Sequence, residues 1–372
     1  FDYVVKRFSQ RLAMMNDPIT VPENIATKLT QWQAEHGRHG LPWQKKSPYH
    51  VWLSEVMLQQ TQVKTVIPYF TRFIQSYPTV TKLAKASLED VLRLWSGLGY
   101  YRRARYLHQS AQIIEEQHQG VIPHCFDTLT QLPGIGPSTA GAILSLGFKL
   151  PFAILDGNVK RLLARLYNIT TPINDRQTEK QLWQLSRQLV PPHQADSYTQ
   201  AVMDMGAIIC TQTKPACSQC PIIQECMAHH ANTVDQIPKK IKKTKQKPTL
   251  IYHIPILWLD RYKVLLQKRP SQGIWADLFC PPIFHDETSM DAWLQQYHLS
   301  RRQTAAPIII EHALTHRNLV LNSHVITLDK NEYFEVESAV WSKDCDSYPL
   351  PAPIKKLINR LNHECTTYDT VS

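Results

Sequence analysis

A chain of 372 residues is too long for one small domain and predicts two or three compact units. Its 43% hydrophobic content is enough for real cores and excludes wholesale disorder, and no apolar run approaches the roughly 20 residues that a membrane helix needs. The formal net charge of +10 calls for a polyanionic partner, either nucleic acid or an acidic lipid surface.

Residues 1–22 read as an extension with no assigned role. They lack the charged start, apolar core and small-residue cleavage site of a signal peptide. Residues 23–230 read as helix after helix. Ser47-Pro48 starts one, with a Ser cap and Pro at the first position. Ser87 to Asp90 resembles a capping box that opens LEDVLRLW, which stops at Gly97 and Gly99. A long helix runs through RRARYL, and Val159, Leu162, Leu163 and Leu166 recur at helical spacing. Residues 231–250 contain PKKIKKTKQKP, which has almost nothing to bury and reads as a basic linker. From 251 the pattern turns to strands. IYHIPILWL and YKVLLQK meet across Asp260-Arg261 as a hairpin, followed by APIIIEH, LVLNSHVITL and AVWS. Helices are expected over 289–298 and 353–362, so residues 251–372 form a second, α+β domain.

Of eight cysteines, four fall at Cys210-x6-Cys217-x2-Cys220-x5-Cys226, and Cys125, Cys280, Cys345 and Cys365 are scattered. A secreted disulfide scaffold would spread its pairs through a shorter chain, so a reducing, cytoplasmic compartment and one metal site are expected. The spacing alone fits zinc and iron–sulfur about equally, because it matches neither common ferredoxin pattern. In LPGIGPSTAGAILSLG (132–147), Gly134 and Gly136 flank a tight turn and Pro137 can open a helix. Backbone N–H groups at such a turn can receive a phosphate. Asp156 precedes an apolar-periodic helix, where Asp is ordinarily just an N-cap. Glu55 lies among Val51, Trp52, Leu53, Val56, Met57 and Leu58, with Gln59 one turn further on the same side, so a polar stripe crosses an apolar element.

The hairpin, Asp156 at 22 residues beyond Gly134, and the cysteine spacing together resemble the helix-hairpin-helix DNA glycosylases that carry a [4Fe–4S] cluster. Within that superfamily LPWQ (41–44), SEVMLQQTQV (54–63), WSGLGYYRRAR (95–105) and LDGNVKR (155–161) resemble the MutY-type adenine DNA glycosylases, which remove adenine mispaired with 8-oxoguanine. The resemblance covers roughly residues 23–350 and is densest up to 230. It implies a mostly α catalytic region of two lobes with a DNA groove between them: a six-helix lobe over 40–150 and a cluster lobe from 23–39 and 151–230. It also implies a Nudix-like C-terminal domain that reads the lesion-bearing strand. Cys210, Cys217, Cys220 and Cys226 would then hold a [4Fe–4S] cluster and brace Lys214 against DNA. The partner would be double-stranded DNA with adenine opposite 8-oxoguanine or guanine, bound by a monomer.

The same resemblance assigns chemistry. Glu55 is the general acid for the adenine leaving group, Asp156 stabilises the cationic sugar, and Asn158 orients the pair. Apolar neighbours should raise the Glu55 pKa, while the helix start should favour the Asp156 anion. Leu58, Gln59 and Gln60 take the wedge positions, with Gln60 filling the space of the extruded base. Tyr100 faces the lesion, and Arg102, Arg103 and Arg105 are candidate phosphate contacts. Gly134, Gly136 and Ser138 belong to the DNA-facing hairpin. Ser138 stands where bifunctional relatives carry a lysine nucleophile, so no Schiff base is expected there. In the C-terminal domain Thr315 and His316 occupy the lesion-reading loop. The 289–298 helix offers only Asp291 to a metal, so no nucleotide hydrolysis is expected. The alternatives are an endonuclease III-like lyase and a catalytically silent iron–sulfur DNA-binding protein.

Overall fold

The computed structural model describes residues 24–241, 247–260, 262–299 and 307–368, with side chains as far as Leu361. The extension over 1–22, the lysine run at 242–246 and the turn residue Arg261 lie outside the described residues. The helices of the first two thirds are α1 (Ile25–His36), α2 (Pro48–Leu58), α3 (Val63–Ser76), α4 (Val80–Ala84), α5 (Leu88–Trp95) and α6 (Arg102–His118). After these come α7 (Phe126–Gln131), α8 (Pro137–Ala142), α9 (Gly157–Leu166), α10 (Arg176–Leu189), α11 (Ala195–Asp204) and α12 (Met227–His230). Local chemistry sets several starts. Pro48 opens α2, and the Ser87 hydroxyl accepts the Asp90 N–H at 3.0 Å to open α5.

The chain divides into two compact units that do not follow chain order. Among the described residues, 24–59 cluster with 122–241, and 60–121 cluster with those from 247 onward. In the first unit Leu29 and Trp32 of α1 share a core with Leu162, Leu163 and Leu166 of α9 and with Tyr198 and Val202 of α11. Each such side chain stabilises the fold by about 1.5–3 kcal/mol. Two glycines allow this packing. A Cβ on Gly141 of α8 would come within 2.1 Å of the Ala153 carbonyl oxygen, and one on Gly147 within 3.0 Å of Pro48.

The second unit contains β1 (Thr249–Leu259), β2 (Lys263–Lys268), β3 (Phe279–Cys280), β4 (Ile308–Ala313), β5 (Asn318–Leu328) and β6 (Ala339–Ser342). Their order is β3-β2-β1-β5-β4, with β6 also on β2. β1 and β5 run parallel, and the other pairs are antiparallel. Strand alternation gives the sheet two apolar faces. Ile254, Leu319 and Leu321 pack with Ile354, Leu357 and Ile358 of α14 (Ala352–Tyr368), while Leu257, Ile326 and Leu328 pack with Met290 and Leu294 of α13 (Glu287–Gln296).

Two boundaries differ from those read in the sequence. The six-helix stretch at 40–150 is split, because α3–α6 belong with the C-terminal domain. The Ser96 and Tyr101 hydroxyls donate to the Leu350 carbonyl at 3.3 and 2.9 Å, and Arg105 Nη1 reaches both the Ala276 carbonyl and Asp277 at 3.1 Å. The linker also starts later than residue 231. Ile237 is buried, the Ile237 carbonyl accepts Arg165 Nε at 2.8 Å, and the Lys239 carbonyl accepts the Ile173 N–H at 2.9 Å. Those carbonyls are consumed by the helical unit, so the segment is packed as far as Lys239.

Candidate active site and cysteine loop

Glu55 and Asp156 lie in the same compact unit. Glu55 sits in α2 with Val51, Trp52, Leu53, Ser54, Val56 and Met57 buried around it, and is itself half-buried. Desolvation, with the nearby Asp156 charge adding to it, pushes its carboxyl up to about 8. At pH 7 such an acid is protonated in a ratio of about ten to one.

Asp156 caps α9. Its Oδ1 accepts the N–H groups of Asn158 at 2.9 Å and Val159 at 2.8 Å. Those bonds, Arg161 and Lys160 all act in the expected direction, towards the anion. Burial outweighs them, and the Asp156 pKa is raised rather than lowered. A half-buried carboxyl loses more hydration than two N–H groups restore.

Asn158 is fixed from two sides. Its Oδ1 accepts Arg161 Nη2 at 2.9 Å, and a Cβ on Gly206 would come within 2.6 Å of the Asn158 Cβ. Arg161 continues inward, donating to the Cys210 carbonyl at 2.7 Å and the Gly206 carbonyl at 2.5 Å. Four residues on, the fully buried Arg165 donates to the Ile237, Thr211 and Gln212 carbonyls and to Cys210 Sγ at 3.4 Å. Neither arginine was singled out from sequence. The signal was there, because 158, 161 and 165 share one face of α9, where a solvated arginine would not be expected beside an apolar stripe.

The hairpin supports the same site. Gly134 has φ +78°, which favours glycine, whereas Gly136 is extended with no atom within 4 Å of a built Cβ. Gln59 Nε2 reaches the Gly134 carbonyl at 3.5 Å, which ties the end of α2 to the turn. The Ser138 hydroxyl accepts the Leu155 N–H at 3.0 Å, one residue before Asp156. Read as a DNA-facing residue, Ser138 is instead half-buried and turned towards the backbone that carries Asp156. Leu58 is half-buried at the end of α2.

The remaining candidates belong to the second unit. Gln60 is exposed with φ +57°. Tyr100 is 47% exposed at φ +51°, with the Arg103 guanidinium 5.3 Å from its ring, so it is no core tyrosine. Of the three candidate phosphate arginines only Arg102 is exposed. Arg103 is buried, donates to the Gly99 carbonyl at 3.0 Å and has its pKa lowered by burial to about 10. Arg105 is engaged with Asp277. Thr315 and His316 are exposed at the β4–β5 turn, closed by the Leu314 N–H on the Arg317 carbonyl at 2.8 Å.

Cys210, Cys217, Cys220 and Cys226 are free thiols that line one cavity together with Arg165, Leu162 and Ile222. Burial, then the other cysteines, raise the Cys217 pKa and push Cys220 up to about 12. A bound metal centre stabilises the thiolates against both effects. The donor set therefore fits a four-thiolate metal centre. Lys214 is exposed in the same loop, with φ +53°.

Residues 53–188 match the HhH-GPD superfamily of base excision DNA repair proteins, and residues 254–360 match the NUDIX domain. The chain is 39% identical over 337 residues to an adenine DNA glycosylase of Buchnera aphidicola subsp. Baizongia pistaciae, covering 90% of this chain and 95% of that one. It is 43% identical over 219 residues to the adenine DNA glycosylase of Homo sapiens, covering 56% of this chain and 40% of that one. A solved thermostable thymine-DNA glycosylase shares the fold, with a TM-score of 0.51 at 24% identity, covering 55% of this chain and 95% of that one.

Proposed function

Because this chain belongs to the adenine DNA glycosylase family, we propose that Glu55 and Asp156 are the pair that excises adenine, acting on adenine opposite 8-oxoguanine or guanine in double-stranded DNA. The enzyme is a hydrolase of N-glycosidic bonds in base excision repair. One observation carries the assignment of residues: burial and the neighbouring Asp156 leave Glu55 protonated at neutral pH.

Adenine is a poor leaving group as an anion. The Glu55 carboxyl delivers its proton to the base as the N-glycosidic bond lengthens. The sugar then gains positive charge. The Asp156 carboxylate stabilises that charge, and the positive charge in turn favours the anion over the acid. Asn158, held through Arg161, keeps α9 and its cap in position. Water adds to the sugar and completes hydrolysis. Ser138 has no amine with which to form a Schiff base, and the nearby Lys160 is paired with Glu179 at 2.5 Å.

Leu58, Gln59 and Gln60 act as the wedge that replaces the extruded adenine. Tyr100, Thr315 and His316 read the opposite base. Gly134 and Gly136 present hairpin N–H groups to a phosphate. The four cysteines hold a [4Fe–4S] cluster, which would supply a rigid, charged brace for the loop carrying Lys214. The working unit is a monomer on duplex DNA.

The test is single-turnover incubation with duplexes carrying adenine opposite 8-oxoguanine, guanine or thymine. Adenine release is expected opposite the first two, with strand breaks only after alkali. Absence of excision opposite 8-oxoguanine would overturn the substrate. A borohydride-trapped lysine adduct accompanied by efficient nicking would move the enzyme to the lyase class.

A further inference from the structure

We propose a second metal site in the C-terminal domain, a divalent transition-metal site best suited to zinc and formed by His253, His324 and Glu287. The topology builds it. β1 and β5 pair in parallel with His253 opposite Asn322 and Pro255 opposite His324. Alternation then puts His253 and His324 on the same face as Leu257, Ile326 and Leu328, the face covered by α13. The first residue of α13 is Glu287. The backbone of His253 exchanges two hydrogen bonds with Phe284 at 2.9 Å each, which anchors the chain that leads into that helix.

The three side chains converge. One ligand atom from each lies within 4.8 Å of the other two. The imidazole rings stack with centroids 6.1 Å apart and planes 16° from parallel. His253 Nδ1 is buried without a hydrogen bond among the described residues, and stands 3.6 Å from Glu287 Oε1. That is too long for a hydrogen bond but close to the separation of about 3.3 Å between neighbouring ligands of a tetrahedral zinc. Two imidazoles and one carboxylate are a borderline donor set, which favours zinc over calcium or magnesium. The fourth position stays open to water at the exposed start of α13. The site shares no residue with the cysteine loop, and its donors differ from the acidic helix that nucleotide hydrolysis would require. Its physical role is to pin the start of α13 to the sheet.

The experiment is equilibrium dialysis of the full chain against zinc, with bound metal counted by mass spectrometry. Wild type is compared with His253→Ala, His324→Ala and Glu287→Gln, and iron is measured in the same samples. Metal on the cysteines is common to all four proteins and cancels in the difference. Wild type is expected to hold one more zinc per chain than either histidine variant. Glu287→Gln, an exposed change that leaves the sheet intact, is expected to weaken that zinc at least about tenfold. Zinc should raise the melting temperature of wild type and not of His253→Ala. Equal zinc content and affinity in wild type and Glu287→Gln would overturn the proposal and leave the three residues as an ion pair beside a ring stack.

Discussion

A carboxyl that keeps its proton at neutral pH is useful to a glycosylase and unhelpful to its fold. Glu55 is raised from its ordinary value of 4.5 to about 8, first by burial and then by Asp156. The folded chain therefore binds this proton more tightly than the unfolded chain. The stability linked to it is present below about pH 4.5 and is lost as pH rises through about 8. Glu55→Gln should raise stability at pH 9 by on the order of 1–2 kcal/mol, less than the full shift implies because the side chain is partly exposed. Calorimetry at pH 5 and pH 9 checks this, and equal gains at both would contradict it. The same variant should lose about a hundredfold or more in single-turnover excision. In wild type the rate should fall on the alkaline side near pH 8, and the residual rate of Glu55→Gln should lack that limb.

Elements place these groups, and they were legible to different degrees. Pro48 opens α2 and Ser87 caps α5 as the sequence reads, although the Ser47 hydroxyl makes no capping bond, and the alternating runs after 251 form the sheet. Both signals are local. The side-chain destinations of α6 and α9 were not legible, because partners far along the chain decide them. Arg103 and Arg105 look like surface cations in RRAR, yet Gly99 and Asp277 claim them. Arg161 and Arg165 bond carbonyls that are 45 to 72 residues away. The close approach of α8 to the extended segment before Asp156 yields a prediction at this scale. Gly141→Ala places a methyl 2.1 Å from the Ala153 carbonyl oxygen. It should destabilise the first unit by about 1–3 kcal/mol and slow excision through Asp156, as measured by denaturant unfolding and single-turnover assay. An unchanged midpoint would show that the hairpin can shift at no cost.

On the scale of the whole molecule, the chain is two units whose boundaries cross its sequence order. The carboxyl pair, the hairpin and the cysteines fall in one, while Tyr100, Thr315 and His316 fall in the other. Sequence order hides this, because Gln60–Val121 looks continuous with the helical region and finds its hydrogen-bond partners beyond Lys243. No helix among the described residues is long and apolar enough to cross a membrane. Removing residues 251–372 is therefore a poor test of lesion reading, because it also strips Leu350 and Asp277 from α5 and α6. Thr315→Ala with His316→Ala, both exposed, is the cleaner probe. It should reduce the preference for 8-oxoguanine over guanine opposite adenine while leaving the melting temperature within about 2 °C of wild type. The central claim is that Asp156 and Glu55 form one excision site, and Asp156→Asn tests it most directly. Asparagine caps a helix as well as aspartate does, so α9 should survive the change. The single-turnover rate on an adenine:8-oxoguanine duplex should fall by about a hundredfold or more. A rate equal to that of wild type would contradict the account.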